Sequence, residues 1–211
     1  MNLATFNALR KYETTSWAVW HERGDCSVAY FRTNLPKLHG RAIFLGLNRS
    51  EAWPNHLVGS HMPNFHTAGC VGDQRLKRFV QDAKLGNLSF AFMTDLSEEI
   101  KSDSGSVSID FTHATESLLE KVKCFESARN RFIVCFGEKT FENLRKGLDV
   151  RLGFVSTHPQ NNTRRFATHV NGEIWNVFRV WHPANYGRLI EKSEIELPIQ
   201  LAHIDQTMGA K

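Results

Sequence analysis

The run Arg41-Ala42-Ile43-Phe44-Leu45-Gly46-Leu47, broken off by the polar Asn48-Arg49-Ser50, decides how this chain is read. A continuous apolar stretch that ends in glycine and then in polar residues is the pattern of a strand buried on both faces of a parallel sheet. Its end belongs at the carboxyl edge of that sheet. Three further runs share the character: Leu88 to Met93, Arg131 to Phe136, and Trp175 to Trp181. Between them lie helical patterns over Asp73 to Leu85, Phe111 to Phe125 and Lys139 to Lys146. Strands alternating with helices imply βαβ units, and so an α/β fold: a three-layer α/β/α sandwich around a central, mostly parallel sheet. In such sheets ligands bind where strands end. The polar or turn groups that follow the four runs are Asn48, Asp95, Gly137 and His182.

Outward from this core, Trp17-Ala18-Val19-Trp20 and Ser27-Val28-Ala29-Tyr30-Phe31 flank the turn-forming Glu22-Arg23-Gly24-Asp25. They predict an N-terminal β-hairpin or a pair of edge strands, so that residues 1–40 decorate a core over 41–188. Ser102 to Ser108 and Gln160 to Arg165 read as polar loops. With 211 residues and 41% hydrophobic content, the expectation is one domain over 1–211.

The N-terminal Met1-Asn2-Leu3-Ala4-Thr5-Phe6 lacks the basic cluster and apolar run of a signal peptide, and no stretch is long and apolar enough to span a bilayer. The expected protein is soluble, cytoplasmic, monomeric and without a membrane partner. Cys26, Cys70, Cys124 and Cys135 are scattered and contain no Cys-x-x-Cys pair, which favours reduced thiols. His56, His61, His66 and Cys70 lie close in sequence but form no paired ligand motif, so no metal is expected. A formal charge of +4 permits a nucleic-acid partner without demanding one. Neither a phosphate loop of the Gly-x-x-x-x-Gly-Lys-Ser/Thr type nor a Gly-x-Ser-x-Gly elbow occurs, which removes the usual signatures of nucleoside triphosphatases and serine hydrolases.

Gly46-Leu47-Asn48-Arg49-Ser50 after the first core strand, paired with His182-Pro183-Ala184-Asn185-Tyr186-Gly187-Arg188 after the last, resembles the two catalytic motifs of the uracil-DNA glycosylase superfamily. The first is similar to the Gly-hydrophobic-Asn-Pro-Gly loop of its mismatch-specific thymine/uracil and single-strand-selective branches, and the second to their His/Asn-Pro-Ser loop. Thr94-Asp95-Leu96 and Phe136-Gly137 fall between them in order, so the resemblance spans about Arg41 to Arg188. Arg49 and Ser50 stand where the family has Pro-Gly, and Ala184 stands in place of its Ser. The four clustered cysteines of the iron-sulfur branches are missing.

The resemblance implies a glycosylase acting on DNA, with Asn48 and His182 as the catalytic pair and no cofactor. Asn48 would hold the attacking water, and His182 would donate to the base O2 as negative charge builds there. Gly46, Leu47, Phe65 and Asp95 would surround the flipped base, with Trp53 as a second candidate for its aromatic floor. Arg49, Ser50, Asn185, Tyr186 and Arg188 would contact DNA, Tyr186 as a wedge, and Arg164 and Arg165 would add positive charge from a loop. Asp95 falls where the family commonly has Asn. An ionised carboxylate accepts but does not donate, so it suits a cytosine N4 amine better than a uracil O4. A damaged, mismatched or modified pyrimidine is therefore the expected substrate, in DNA repair or in defence against modified viral DNA. No lysine stands in place of Asn48 or His182, which argues for a monofunctional hydrolase rather than a Schiff-base lyase.

Plainer roles are open for the same residues. Asn48 and Asp95 could cap turns, His182 could be satisfied by backbone, Tyr186 could be a surface aromatic, and the arginines could simply be solvated. The fold could also serve a binding module that does not cleave, or a small-molecule nucleosidase.

Overall fold

The computed structural model describes residues 1–22, 26–49, 60–67, 70–100, 108–150, 155–158, 162–185 and 187–210. Along the chain run α1 (Leu3–Leu9), β1 (Ser16–Trp17), α2 (Val28–Thr33), β2 (His39–Arg49) and α3 (Val71–Leu76), which continues as a π-helical turn over Lys77–Asp82. Then come β3 (Ala91–Ile100), α4 (Phe111–Lys123), β4 (Asn130–Phe136), α5 (Glu138–Gly147), β5 (Ser156–Thr157), β6 (Arg164–Val170) and β7 (Glu173–Val180). A short 3₁₀ turn (Gly187–Leu189) and a π-helical segment (Lys192–Glu196) lead into α6 (Leu197–Gly209). None of these helices is long and apolar enough to cross a membrane.

The strands form one seven-stranded sheet in the order β1-β3-β2-β4-β7-β6-β5. The four central strands β3, β2, β4 and β7 are mutually parallel, and β1, β6 and β5 pair antiparallel at the edges. Alternation along the strands divides the apolar side chains between two faces. Ile43, Leu45, Ile133, Cys135 and Val177 join a cluster with Phe6, Phe31, Leu118, Val122, Phe141 and Leu144, contributed by α1, α2, α4 and α5. Ala42, Phe44, Phe132, Val134 and Phe178 join a second cluster with Leu76, Phe79 and Val80 from α3 and its continuation, and Leu201 and Ile204 from α6. The sheet is therefore covered by helices on both sides, which is why its central strands read as unbroken apolar runs.

The N-terminal forty residues are not the expected hairpin. Ser27 accepts the Tyr30 N–H at 3.1 Å and caps a helix over the stretch read as a strand, and among the described residues before β2 it is Ser16–Trp17 that pairs with the sheet, against β3. Nor do they decorate a finished core, since Phe6, Trp17 and Phe31 are fully buried and their rings pack together. The second core strand starts later than its apolar run, at Ala91, because Phe90 takes a left-handed backbone (φ 65) that breaks extension. The polar loop expected up to Arg165 ends in a strand: Arg164 and Arg165 open β6, which lies between β7 and the short β5 and has one buried side chain, Phe166. Residues 102–107 and 160–161 of the two expected loops lie outside the described residues.

Beside the amino end of β4, Arg131 and Glu173 form a buried two-bond ion pair, Nε to Oε2 at 2.6 Å and Nη2 to Oε1 at 2.7 Å. Arg131 also donates to the Gly40 carbonyl, so one guanidinium ties β7 and β4 to the start of β2. Burial would raise the Glu173 pKa, but the Arg131 hydrogen bonds and the Ala128 N–H outweigh it and hold the carboxyl below its usual range. Replacing Arg131 by Met leaves that carboxylate buried and unpaired, and we expect a loss of about 3–5 kcal/mol in urea unfolding at pH 7. A depressed folded pKa contributes stability only above it, so the gap between wild type and variant should close as pH falls below 4.5.

Candidate active site

The polar groups that follow the four central strands meet in one cleft of about 500 Å³ at the carboxyl end of the sheet. Asn48 comes from β2, Asp95 from β3, Gly137 from the turn after β4 and His182 from the loop after β7. Residues 64, 65 and 67, the start of α3, the first turn of α5 and Pro183 to Asn185 complete its walls. A larger hollow of about 930 Å³ opens at the opposite end of the sheet, around Gly40 and Arg131, and includes none of these strand-end groups.

Gly46 and Asp95 are register partners on neighbouring parallel strands, so their side chains stand next to each other on one face. A Cβ on Gly46 would collide with Asp95 Oδ1 and come within 3.0 Å of the Phe65 ring. The glycine thus gives the carboxylate and the aromatic ring room to close over the strand end. Asp95 is 2% exposed, and its Oδ2 accepts from Asn64 Nδ2 at 2.8 Å. The other Asn64 amide hydrogen goes to the Thr14 carbonyl at 2.6 Å. Beneath lies the fully buried Lys121, which donates to the Thr14 and Thr94 hydroxyls at 3.1 and 3.3 Å and pairs with Glu98. Burial pushes the Asp95 carboxyl up to about 7, against the opposing pull of the Asn64 hydrogen bond and the Lys121 charge. A second carboxylate of the cleft, Asp73, is raised to about 6, again by burial, although it accepts the Thr67 N–H at 2.7 Å.

Rings form one wall. Phe65 sits at a positive φ of 65° in the turn closed by His66 N–H to the Pro63 carbonyl at 2.7 Å. Glycine or asparagine usually takes such a position, and a bulky residue there costs about 1–3 kcal/mol that the surroundings must supply. Trp20 Nε1 donates to the Phe65 carbonyl at 2.9 Å and helps hold the turn. The Phe65 ring stands 6.0 Å from that of Phe136, which in turn meets the His182 ring edge-on at 6.1 Å.

Burial pushes the His182 pKa down to about 4, so the ring is neutral at physiological pH. Its Nδ1 accepts the Ala184 N–H at 3.1 Å, which puts the proton of the neutral ring on Nε2 and makes Nε2–H a donor. The loop that carries it is clamped by Arg75, whose Nη1 donates to the Pro183 and Asn185 carbonyls at 2.8 and 3.2 Å while its Nε pairs with Glu194 at 2.6 Å. Ser193 Oγ adds a bond to the His182 carbonyl at 2.6 Å. Ala184 packs so closely on α3 that a Cβ at Gly72 would lie 2.8 Å from its own, which accounts for two small residues meeting there. Asn48 Nδ2 donates to the Arg49 carbonyl at 3.1 Å, fixing the plane of its amide.

Of the residues expected at a site, the cleft collects Gly46, Leu47, Asn48, Arg49, Phe65, Asp95, His182 and Asn185. Ser50, Trp53, His56 and Tyr186 lie outside the described residues. Arg164 and Arg165 do not line the cleft and are not loop charges. Arg164 belongs to β6, pairs with Glu138 and Glu142 and covers the Phe141 ring, while Arg165 bonds Ser156 Oγ at 3.4 Å. Arg188 is exposed on the 3₁₀ turn and likewise does not line the cleft. His66 is buried, with Nε2 3.1 Å from the Trp17 carbonyl and its pKa pushed by burial to about 4. Among the described residues no three His, Cys, Asp or Glu side chains could hold a metal ion together. Sequence reasoning missed Asn64, Asp73, Arg75 and Lys121, because their roles rest on contacts made across the chain. Compared with known proteins, the chain matches no family model and no curated sequence.

The folded state holds a proton on Asp95 that the unfolded chain, with a carboxyl pKa of 3.8, has already released, so stability declines as pH rises from 4 to 7. Asp95→Asn removes that penalty while keeping an acceptor for Asn64. Urea unfolding should show the variant about 1–4 kcal/mol more stable than wild type at pH 8, with little difference at pH 4. Equal stabilities at both pH values would mean that the carboxyl titrates normally.

Proposed function

We propose that this protein is a monofunctional DNA glycosylase, of the uracil-DNA glycosylase type in fold, that takes a flipped modified pyrimidine into the cleft and hydrolyses its N-glycosidic bond. The observation that carries this reading is the convergence of Asn48, Asp95 and His182 from three parallel strands onto one aromatic-walled cavity. At about 500 Å³ the cavity is of a size suited to a nucleotide's base and sugar.

Breaking the bond between C1′ and N1 sends its electron pair to the base, and negative charge gathers on O2. The neutral His182, with its hydrogen on Nε2, supplies a donor for that oxygen without losing a proton. A water held by the Asn48 amide oxygen bonds to C1′ as positive charge builds on the sugar, and the water's surplus proton passes to solvent. The freed base is protonated in turn. Phe65 and Phe136 offer faces and edges to the pyrimidine, a stacking contribution of roughly 1–3 kcal/mol.

Asp95 reads the base. Its Oδ2 is committed to Asn64, which leaves Oδ1 to face the ligand over Gly46. Ionised, that oxygen accepts from an exocyclic amine such as cytosine N4, and protonated it donates to a carbonyl such as uracil O4. Above neutral pH the preferred substrate is therefore a cytosine-type base.

Base release should be measured from single- and double-stranded oligonucleotides that carry uracil, mismatched thymine, and plain, hydroxymethylated or glucosylated cytosine. His182→Ala should lower release by about 10²–10³-fold and Asn48→Ala by at least as much, with DNA binding largely kept. Release of the amine-bearing base should rise between pH 6 and pH 8 and lose that dependence in Asp95→Asn. Oligonucleotide binding with no release of any base by the wild type would reduce the protein to a binding module.

A further inference from the structure

A guanidinium that is buried without a full set of partners is expensive to keep, because its N–H donors have given up water for nothing in return. Arg49 is in that position. It is 2% exposed and lines the cleft beside Asn48, yet its Nε and Nη1 have no hydrogen-bond partner among the described residues. Its ion-pair contact there is Nη2 to Glu13 Oε2 at 3.4 Å, and Glu13 is 52% exposed, so solvent screens much of that pairing.

The backbone shows how Arg49 comes to be aimed inward. Asn48 is paired with Ser97 and Arg49 with Ile100, so the register slips between the two residues. Such an irregularity re-aims a side chain that strict alternation would place elsewhere. On the loop after β7, Asn185 Nδ2 is also buried without a partner among the described residues and lines the same cleft. Two carboxylates of the cleft are accounted for: Glu138 is bound by Arg164 and Arg179, and Asp73 accepts the Thr67 N–H.

We infer that Arg49 is the anion site of the cleft, its unpartnered Nη1 donating to an oxygen of one phosphate group. That an anion binds stands on the unpartnered guanidinium alone. That the anion is the phosphate of the nucleotide whose base enters the cleft rests on the glycosylase reading above.

Thermal unfolding with added inorganic phosphate, deoxycytidine or deoxycytidine monophosphate should be compared in wild type, Arg49→Gln and Arg49→Lys. Phosphate and the monophosphate are expected to raise the wild-type Tm and the nucleoside to do so less. In Arg49→Gln the free protein should melt at the same temperature or higher, since a buried unpaired charge is gone, and the response to phosphate should vanish. Arg49→Lys should keep part of it. For a single-stranded oligonucleotide, Arg49→Gln should weaken binding roughly 10-fold or more and reduce the slope of log K against log salt by about 0.7. A wild type that phosphate does not stabilise, or an Arg49→Gln protein that melts lower while still responding to phosphate, would overturn the assignment. A response to phosphate without base release from any oligonucleotide would keep the anion site and remove the glycosylase.

Discussion

A carboxylate buried at the carboxyl end of a parallel sheet is the constraint around which this site is built. Asp95 has to be kept from water, and Asn64, Lys121 and the Thr14 backbone are arranged to make that tolerable. Space is the other requirement. In-register parallel strands place the residue beside Asp95 on the same face, and Gly46 there leaves the carboxyl group and the Phe65 ring room that any side chain would take. The left-handed backbone of Phe65 belongs to the same arrangement, since the turn that delivers Asn64 to the carboxylate also delivers the ring to the cleft.

Much of this was legible in the order of residues because a doubly covered parallel sheet leaves a strong imprint. Its strands must be apolar on both sides, so Ala42 to Leu47 and Phe132 to Phe136 stand out as unbroken runs. The polar residue that ends each run falls at the sheet's carboxyl edge, which is how Asn48, Asp95 and His182 could be picked out together. What sequence pattern misjudged lies where local preference and tertiary pairing disagree. Ser27 can cap a helix as readily as it can open a strand, and the packing of Phe31 against Trp17 favours the helix. Strands near the edge of the sheet, such as β6, bury little and so resemble loops.

Charge was the least legible property. Arg164, Arg75 and Arg49 look alike as letters, yet one is spent on Glu138 and Glu142, one holds the backbone of a loop, and one lies buried with donors to spare. The difference comes from which carboxylates and carbonyls the fold brings within reach, at separations of more than a hundred residues in the case of Arg75. Asp95 is a related case. Its identity suggested an obligate acceptor, and its burial makes it a group that can act on either side of a proton.

The Arg75 clamp has a mechanical meaning. Because one guanidinium grips two carbonyls of the His182 loop and a carboxylate beyond it, and because Gly72 and Ala184 touch with no slack between them, loop and helix form a single lever rather than a hinge. Whatever pulls on His182 pulls equally on the helix that bears Asp73, so the two jaws of the cleft cannot change their spacing on that side. Accommodation of a bulkier ligand has to come from the opposite rim, where Phe65 and the end of β2 are held by other bonds.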